Sequence, residues 1–236
     1  EQPRRSCGIR GGTQFERLHF LIVFSATMKE TLYIAGDEVS LFLFIKKNMF
    51  PFVTLTDNVV MIRPFEFGEE AELHAAIQES LPELHPWMSW ATERYTRNVA
   101  RDFITITRAE WSRGSLYSFA ITNAVTGEFL GGCGLSHFHP VYKFCNLGYW
   151  IRTSKHGNGY AGLATKLVAQ FAFERANVIR AEIVIAKDNH ASKRVAEKVG
   201  AHYEGILLNR MTVRENIYDA HMFSLLPSDF GLVAQL

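Results

Sequence analysis

Between residues 145 and 176 the sequence runs through a strand, a glycine turn and a helix, and this unit limits the folds open to the chain. Cys145-Asn146-Leu147-Gly148-Tyr149-Trp150-Ile151 is an apolar run of strand-forming composition. Gly157-Asn158-Gly159-Tyr160-Ala161-Gly162 follows it. Residues 160–176 then place Leu163, Leu167 and Phe171 at helical spacing, flanked by Ala164, Val168 and Ala172. A chain that leaves a strand through glycines and enters a helix presents unpaired backbone N–H groups at the helix N-terminus. The helix dipole and those donors together favour an anion.

Two phosphate ligands fit such a turn. Read as G-x-G-x-x-G, it is the cradle of a dinucleotide; read one residue earlier, it suits the pyrophosphate of coenzyme A. A dinucleotide fold wants the glycines directly after a buried strand, in the first of several βαβ units. Here Thr153-Ser154-Lys155-His156 intervenes and the preceding strands look antiparallel. Glu182 stands about the right distance on to bind a ribose, but within a strand rather than at its end. The dinucleotide reading fails on context.

The wider element order agrees. A strand at Val59–Pro64 precedes helices over 69–80, with Leu73, Ala76 and Ile77 on one face, and 92–113, with Tyr95, Val99, Phe103 and Ile106. Strands at 116–123, 129–138 and 144–152 follow, the first two joined by a turn at Thr126-Gly127. After the 160–176 helix come a strand at 181–186, a helix at 190–199 stopped by Gly200, and strands near 202–213 and 217–226. This is an α+β sheet with helices packed on it, not a repeated βαβ array.

Residues 1–48 differ in character: Phe20–Phe24 and Val39–Ile45 are apolar but too short to span a bilayer, and Met28, Met49 and Met61 are possible starts. We expect an extension of uncertain status over 1–48, a domain over 55–228 and a tail over 229–236. Net charge is +1 without basic blocks, which gives no footprint for duplex nucleic acid. Cys7, Cys133 and Cys145 lack metal-ligand spacing, and a reduced, cytoplasmic protein is the natural reading.

Several segments, in order, resemble one family. They are Met61-Ile62-Arg63-Pro64, Trp87-Met88-Ser89-Trp90, Leu147-Gly148-Tyr149-Trp150-Ile151-Arg152 and the glycine turn. Asn189-His190-Ala191-Ser192, Val195–Ala201, Glu204-Gly205 and Asn209-Arg210 complete the series. Over roughly residues 55–228 the chain resembles the GNAT acetyltransferases, and within them the RimJ/RimL-type protein N-acetyltransferases.

The resemblance implies a GNAT fold, with a mixed, mostly antiparallel sheet of about seven strands and about four helices. Two central strands would splay to admit the pantetheine arm of acetyl-CoA. The family's pyrophosphate loop, Q/R-x-x-G-x-G/A, falls on His156, Gly157, Asn158, Gly159, Tyr160 and Ala161, with His156 in place of Gln or Arg. Trp150 and Ile151 would line the cofactor strand, whose backbone would bind the pantetheine amides and the acetyl oxygen. Asn189 would contact the pantetheine arm and Ser192 would protonate the departing thiolate; the same pair also reads as a plain helix start. The tyrosine that many relatives use one turn later is Ala196 here.

Trp87, Trp90 and Tyr149 would form the acceptor wall. An acidic base used by relatives is replaced by Asn146, leaving His137 and His139, two apart on an expected strand, or a chain of waters. No metal is expected. The implied reaction is direct attack of a protein N-terminal amine on acetyl-CoA. A small-molecule acceptor (polyamine or aminoglycoside) and a non-catalytic acyl-CoA sensor stay open, as do monomer and homodimer. Neither nucleic acid nor membrane is expected as a partner.

Overall fold

The structure, a computed structural model, describes residues 52–234. The extension over 1–48, with Cys7 and Met28, lies outside the described residues, as do Met49 and the last two residues of the expected tail. The strands are β1 (Leu55–Thr56), β2 (Val60–Pro64), β3 (Tyr117–Asn123), β4 (Phe129–Ser136), β5 (Phe144–Ile151), β6 (Arg180–Ala186), β7 (His202–Val213) and β8 (Asn216–Leu225). The helices are α1 (Glu70–Glu79), α2 (Leu81–Leu84), α3 (Arg97–Arg113), α4 (Tyr160–Glu174) and α5 (His190–Val199). All seven expected strands and four expected helices form. The two-residue β1 and the one-turn α2 are additional, each too short to leave a periodic signal.

One sheet holds all eight strands in the order β1-β2-β3-β4-β5-β6-β8-β7. Every neighbouring pair is antiparallel except β5 and β6, which run parallel. On one face α4 packs Ala164, Val168, Ala169 and Ala172 against Leu147, Ile151, Ile183 and Phe223, and α5 adds Ala196. The other face carries Leu73, Ala76 and Ile77 of α1 with Ala100 and Ile104 of α3, over Ala120 and Phe129.

Two helices turn a slightly different face inward than their spacing predicts. In α4 the small residues Ala164 and Ala172 are fully buried while Leu163 and Leu167 are only partly so. Val168 and the expected Phe171 are buried with those alanines. In α3 the buried residues are Ala100, Ile104, Thr107 and Trp111, one position on from the expected Val99, Phe103 and Ile106. Trp111 sets that rotation, because its ring meets Tyr117, Phe119 and Phe171 at centroid distances of 5.0, 4.8 and 5.7 Å. Tyr95 is buried but precedes the helix, whose N-cap is Thr96.

The feature that matters for function is a split in the sheet. β5 and β6 pair only at Phe144–Arg180, Cys145–Ala181 and Asn146–Glu182. Beyond Asn146, β6 continues alongside β8 as far as Ala186–Ala220, and β5 continues alongside β4 as far as Ile151–Gly131. From Leu147 to Ile151, therefore, β5 has no strand on its β6 side.

One expectation about this region is overturned. β4 ends at Ser136, so His137 and His139 do not lie on a strand and share no strand face. His137 takes a left-handed backbone with φ of 53°, and Pro140 follows shortly after. Extended pairing cannot continue through such a turn, although the alternation through Phe138 suggested that it would.

Candidate active site

The open flank of β5 leads straight into the glycine loop. Arg152 leaves the strand with its N–H bonded to Leu130 O at 2.8 Å, and Thr153–Lys155 form one 3-10 turn. Gly157 and Gly159 follow with φ of 83° and 80°, a backbone region where an L side chain is strained. Around both, an added Cβ would meet open space, so the glycines serve the turn and the approach of a ligand rather than internal packing. Among the described residues, the backbone N–H groups of Gly157, Asn158, Gly159, Tyr160 and Ala161 have no protein acceptor. Gly159 caps α4 without a side-chain partner. Five free donors at the start of a 15-residue helix form a cradle for a diphosphate.

The side chains of this loop face inward to hold it. A His156 ring nitrogen, Nε2, lies 2.8 Å from Ile151 O, tying the loop back to the last residue of β5. Asn158 Nδ2 donates to Lys155 O and His156 O at 3.1 and 3.2 Å. Lys155 reaches Glu128 at 2.7 Å.

A second set of anchors comes from the corner between α1 and α2, and nothing in the local pattern announced it. Arg152 binds Glu79 through Nε at 3.0 Å and through its terminal nitrogen. Ser154 N–H donates to Glu79 Oε1 at 2.8 Å, Thr153 N–H to Ser80 Oγ at 3.0 Å, and Thr153 Oγ1 to Glu83 at 2.9 Å. The Arg152 guanidinium, helped by the Ser154 N–H, holds the Glu79 carboxyl down at about 2.

Tyr149 and Trp150 point to opposite faces of the sheet. Tyr149 packs on the α4 side, and its hydroxyl donates to Ser192 O at 3.0 Å while Ser192 Oγ donates back at 3.1 Å. Burial pushes the Tyr149 phenol up to about 12, so it keeps its proton. Ser192 N–H donates to Asn189 Oδ1 at 3.1 Å, making Asn189 the side-chain cap of α5. Tyr149, expected on the acceptor wall, thus reaches across the split to α5. Ala196, one turn further along α5, is fully buried.

Trp150 instead faces α1 and α3. Its ring meets Trp90 at 6.1 Å and Phe129 at 6.0 Å. It also lies over Gly132, where an added Cβ would stand 2.7 Å from Trp150 Nε1. Gly148, exposed with open space above it, is the floor beside this aromatic group. Trp87 meets Tyr218 of β8 at 6.3 Å, and Arg214 at the β7–β8 turn donates to His85 O at 2.7 Å. The Leu84–Trp90 segment and the final hairpin therefore touch.

At the closed end of the split stands Asn146. Its register partner Glu182 lies on the same face, opposite α4, with its carboxylate 2.9 Å from Arg180 Nε. A carboxylate therefore stands one strand over from Asn146. His139 is stacked between Tyr142 and Phe144 at 4.5 and 4.9 Å and accepts the Tyr142 N–H at 3.0 Å. His137 Nδ1 lies 2.9 Å from Ser136 Oγ.

Cys133 and Cys145 are buried free thiols, both pushed up by burial, Cys145 to about 12. Among the described residues no helix is long and apolar enough to cross a membrane.

Comparison with known proteins places this geometry. The acetyltransferase (GNAT) domain profile matches residues 60–202. The "Probable N-acetyltransferase YjcK" of Bacillus subtilis is 25% identical over 178 residues, covering 74% of this chain and 98% of the relative. Among solved structures, a provisionally named ribosomal-protein-serine acetyltransferase of Vibrio cholerae superposes with a TM-score of 0.65 at 27% identity. That match covers 74% of this chain and 98% of the other. RimJ of Mycobacterium smegmatis, solved with CoA-disulfide, gives a TM-score of 0.65 at 22% identity over 79% of this chain and 90% of its own. A sheet split beside a glycine cradle, found where the family profile matches, makes the chain a member of the GNAT family and an N-acetyltransferase of that type.

Proposed function

We propose that the protein transfers an acetyl group from acetyl-CoA to the N-terminal amine of a protein, by direct attack through a tetrahedral intermediate. The single observation that carries this reading is the pairing of β5 with β6 at three positions only, opening at Leu147 toward the free donors of the glycine loop. A linear arm bearing two amides can lie along Leu147–Ile151 as a strand would, with its diphosphate on residues 157–161.

The chemistry follows from the groups around that slot. The amine nitrogen attacks the thioester carbon, and the carbonyl electrons move to oxygen, where a β5 backbone N–H donates to the oxyanion. Collapse breaks the C–S bond and returns the electrons to the carbonyl. As the sulfur departs, the Ser192 hydroxyl swings its proton from Tyr149 Oη to the thiolate, and the proton lost from the amine replaces it on Ser192. An acceptor arriving as ammonium gives one proton to water before it attacks; Glu182, on the acceptor face at the closed end of the split, is held by Arg180. Cys133 and Cys145 are buried and held protonated, which argues against an acyl-enzyme.

A protein acceptor is favoured by the half-buried aromatic pairs Trp87–Tyr218 and Trp90–Trp150, and by the ribosomal-protein relative at 27% identity. The test is release of free CoA from acetyl-CoA against peptide N-termini, polyamines and aminoglycosides. Turnover confined to peptides supports the reading; turnover confined to polycationic small molecules redirects it. Binding of acetyl-CoA without turnover on any acceptor would leave a sensor.

A further inference from the structure

Besides the ties of Lys155 to Glu128 and His156 to Ile151, the glycine loop is mounted on a helix corner. Three consecutive residues after β5, Arg152, Thr153 and Ser154, are each bonded to the α1–α2 corner, through Glu79, Ser80 and Glu83. Glu79 takes the largest share, receiving both the Arg152 guanidinium and the Ser154 N–H. A carboxylate this close to a diphosphate cradle would repel its ligand if its charge were free. Here Arg152 neutralises it, and the pair is more than two-thirds shielded from solvent on each side. The same corner leads directly into Leu84–Trp90, the proposed acceptor wall.

We infer that Glu79 is a positioning residue for the coenzyme A diphosphate: it anchors the start of the glycine loop so that the five free N–H groups are presented together. The inference rests on the acetyl-CoA reading above. It assigns Glu79 no contact with the ligand. Its effect is pre-organisation, since a loop already ordered loses less entropy when the diphosphate arrives.

A competing expectation has the opposite sign. If Glu79 merely sequestered Arg152, then removing its charge would free a guanidinium for phosphate and tighten coenzyme A binding.

The experiment compares wild type, Glu79→Gln and Glu79→Asp with acetyl-CoA and with acetyl-pantetheine, which carries the thioester arm but no diphosphate. For Glu79→Gln, kcat/KM with acetyl-CoA should fall about tenfold, carried by KM, with kcat within about twofold. With acetyl-pantetheine kcat/KM should stay within about twofold. Glu79→Asp, which keeps the charge but loses reach, should fall between the two. Unchanged or tighter use of acetyl-CoA by Glu79→Gln overturns the inference, as does an equal loss with both donors. Should Glu79→Gln fail to fold, judged by its melting transition, Glu79→Asp carries the same comparison by the same criteria. Failure of the wild type to bind coenzyme A at all would sink the acetyl-CoA reading instead.

Discussion

The hydroxyl of Tyr149 donates to the backbone oxygen of Ser192, and the hydroxyl of Ser192 donates back to Tyr149, at 3.0 and 3.1 Å. Two bonds thus tie the unpaired flank of β5 to the first turn of α5. They also fix the Ser192 hydroxyl, whose backbone N–H is already bound by Asn189. The phenol that reaches the first turn of α5 thus comes from the sheet.

Ser192→Ala should lower kcat by about 100-fold, the lower end of general acid–base effects, with little change in KM for acetyl-CoA. Tyr149→Phe keeps the packing and removes the orienting bonds, and should cost about tenfold in kcat. Steady-state kinetics with saturating acetyl-CoA read both. Unaltered turnover in Ser192→Ala would reduce Ser192 to a helix-start residue.

At His156 the prediction concerns chemistry rather than charge. The ring is bonded to Ile151 O, so a residue that can donate there should substitute. His156→Gln should hold the Kd for coenzyme A within about twofold, whereas His156→Leu should weaken it about fivefold. Titration calorimetry separates the two outcomes.

Gly132→Ala bears mainly on the acceptor side. The new methyl would collide with the Trp150 indole, which Trp90 and Phe129 hold from other directions. Overpacking of this kind costs about 1–3 kcal/mol. The melting temperature should fall, and KM for the acceptor should rise by a larger factor than KM for acetyl-CoA.

Acid should loosen the molecule through a second ion network. Arg180 binds both Glu204 oxygens at 2.7 and 2.5 Å, and Ser224 adds a bond, holding the Glu204 carboxyl at about 2. A carboxyl depressed in the folded state stabilises above its unfolded value, near 4.5, and loses that contribution as pH falls through about 2. The melting-temperature gap between wild type and Glu204→Gln should be constant from about pH 7 to 5, shrink below about 4.5 and close near 2. Scanning calorimetry across that range reads it. A gap that persists at pH 2 would mean that the variant acts through packing.

What the sequence made legible was the local part of the site. Gly157 and Gly159, the helix after them and the α5 start at Asn189 are set by neighbours in the chain, and all appear where spacing puts them. The clamp on the loop was not legible, because Glu79 and Ser154 are 75 residues apart and an acidic residue at the end of a helix is unremarkable by itself. Strand alternation carried through His137 and His139 because periodicity does not register a left-handed turn. The side to which Tyr149 points became clear only once β5 was seen against α4.

The split in the sheet has one further consequence. Strands β1–β5 on one side and β6, β8 and β7 on the other are joined edge to edge by three residue pairs. An acetyl donor lying along Leu147–Ile151 would complete the missing seam, so occupancy and cohesion become a single quantity. Thermal resistance should then climb with donor concentration as mass action requires. Product departure, in turn, would mean unstitching the fold at its weakest line.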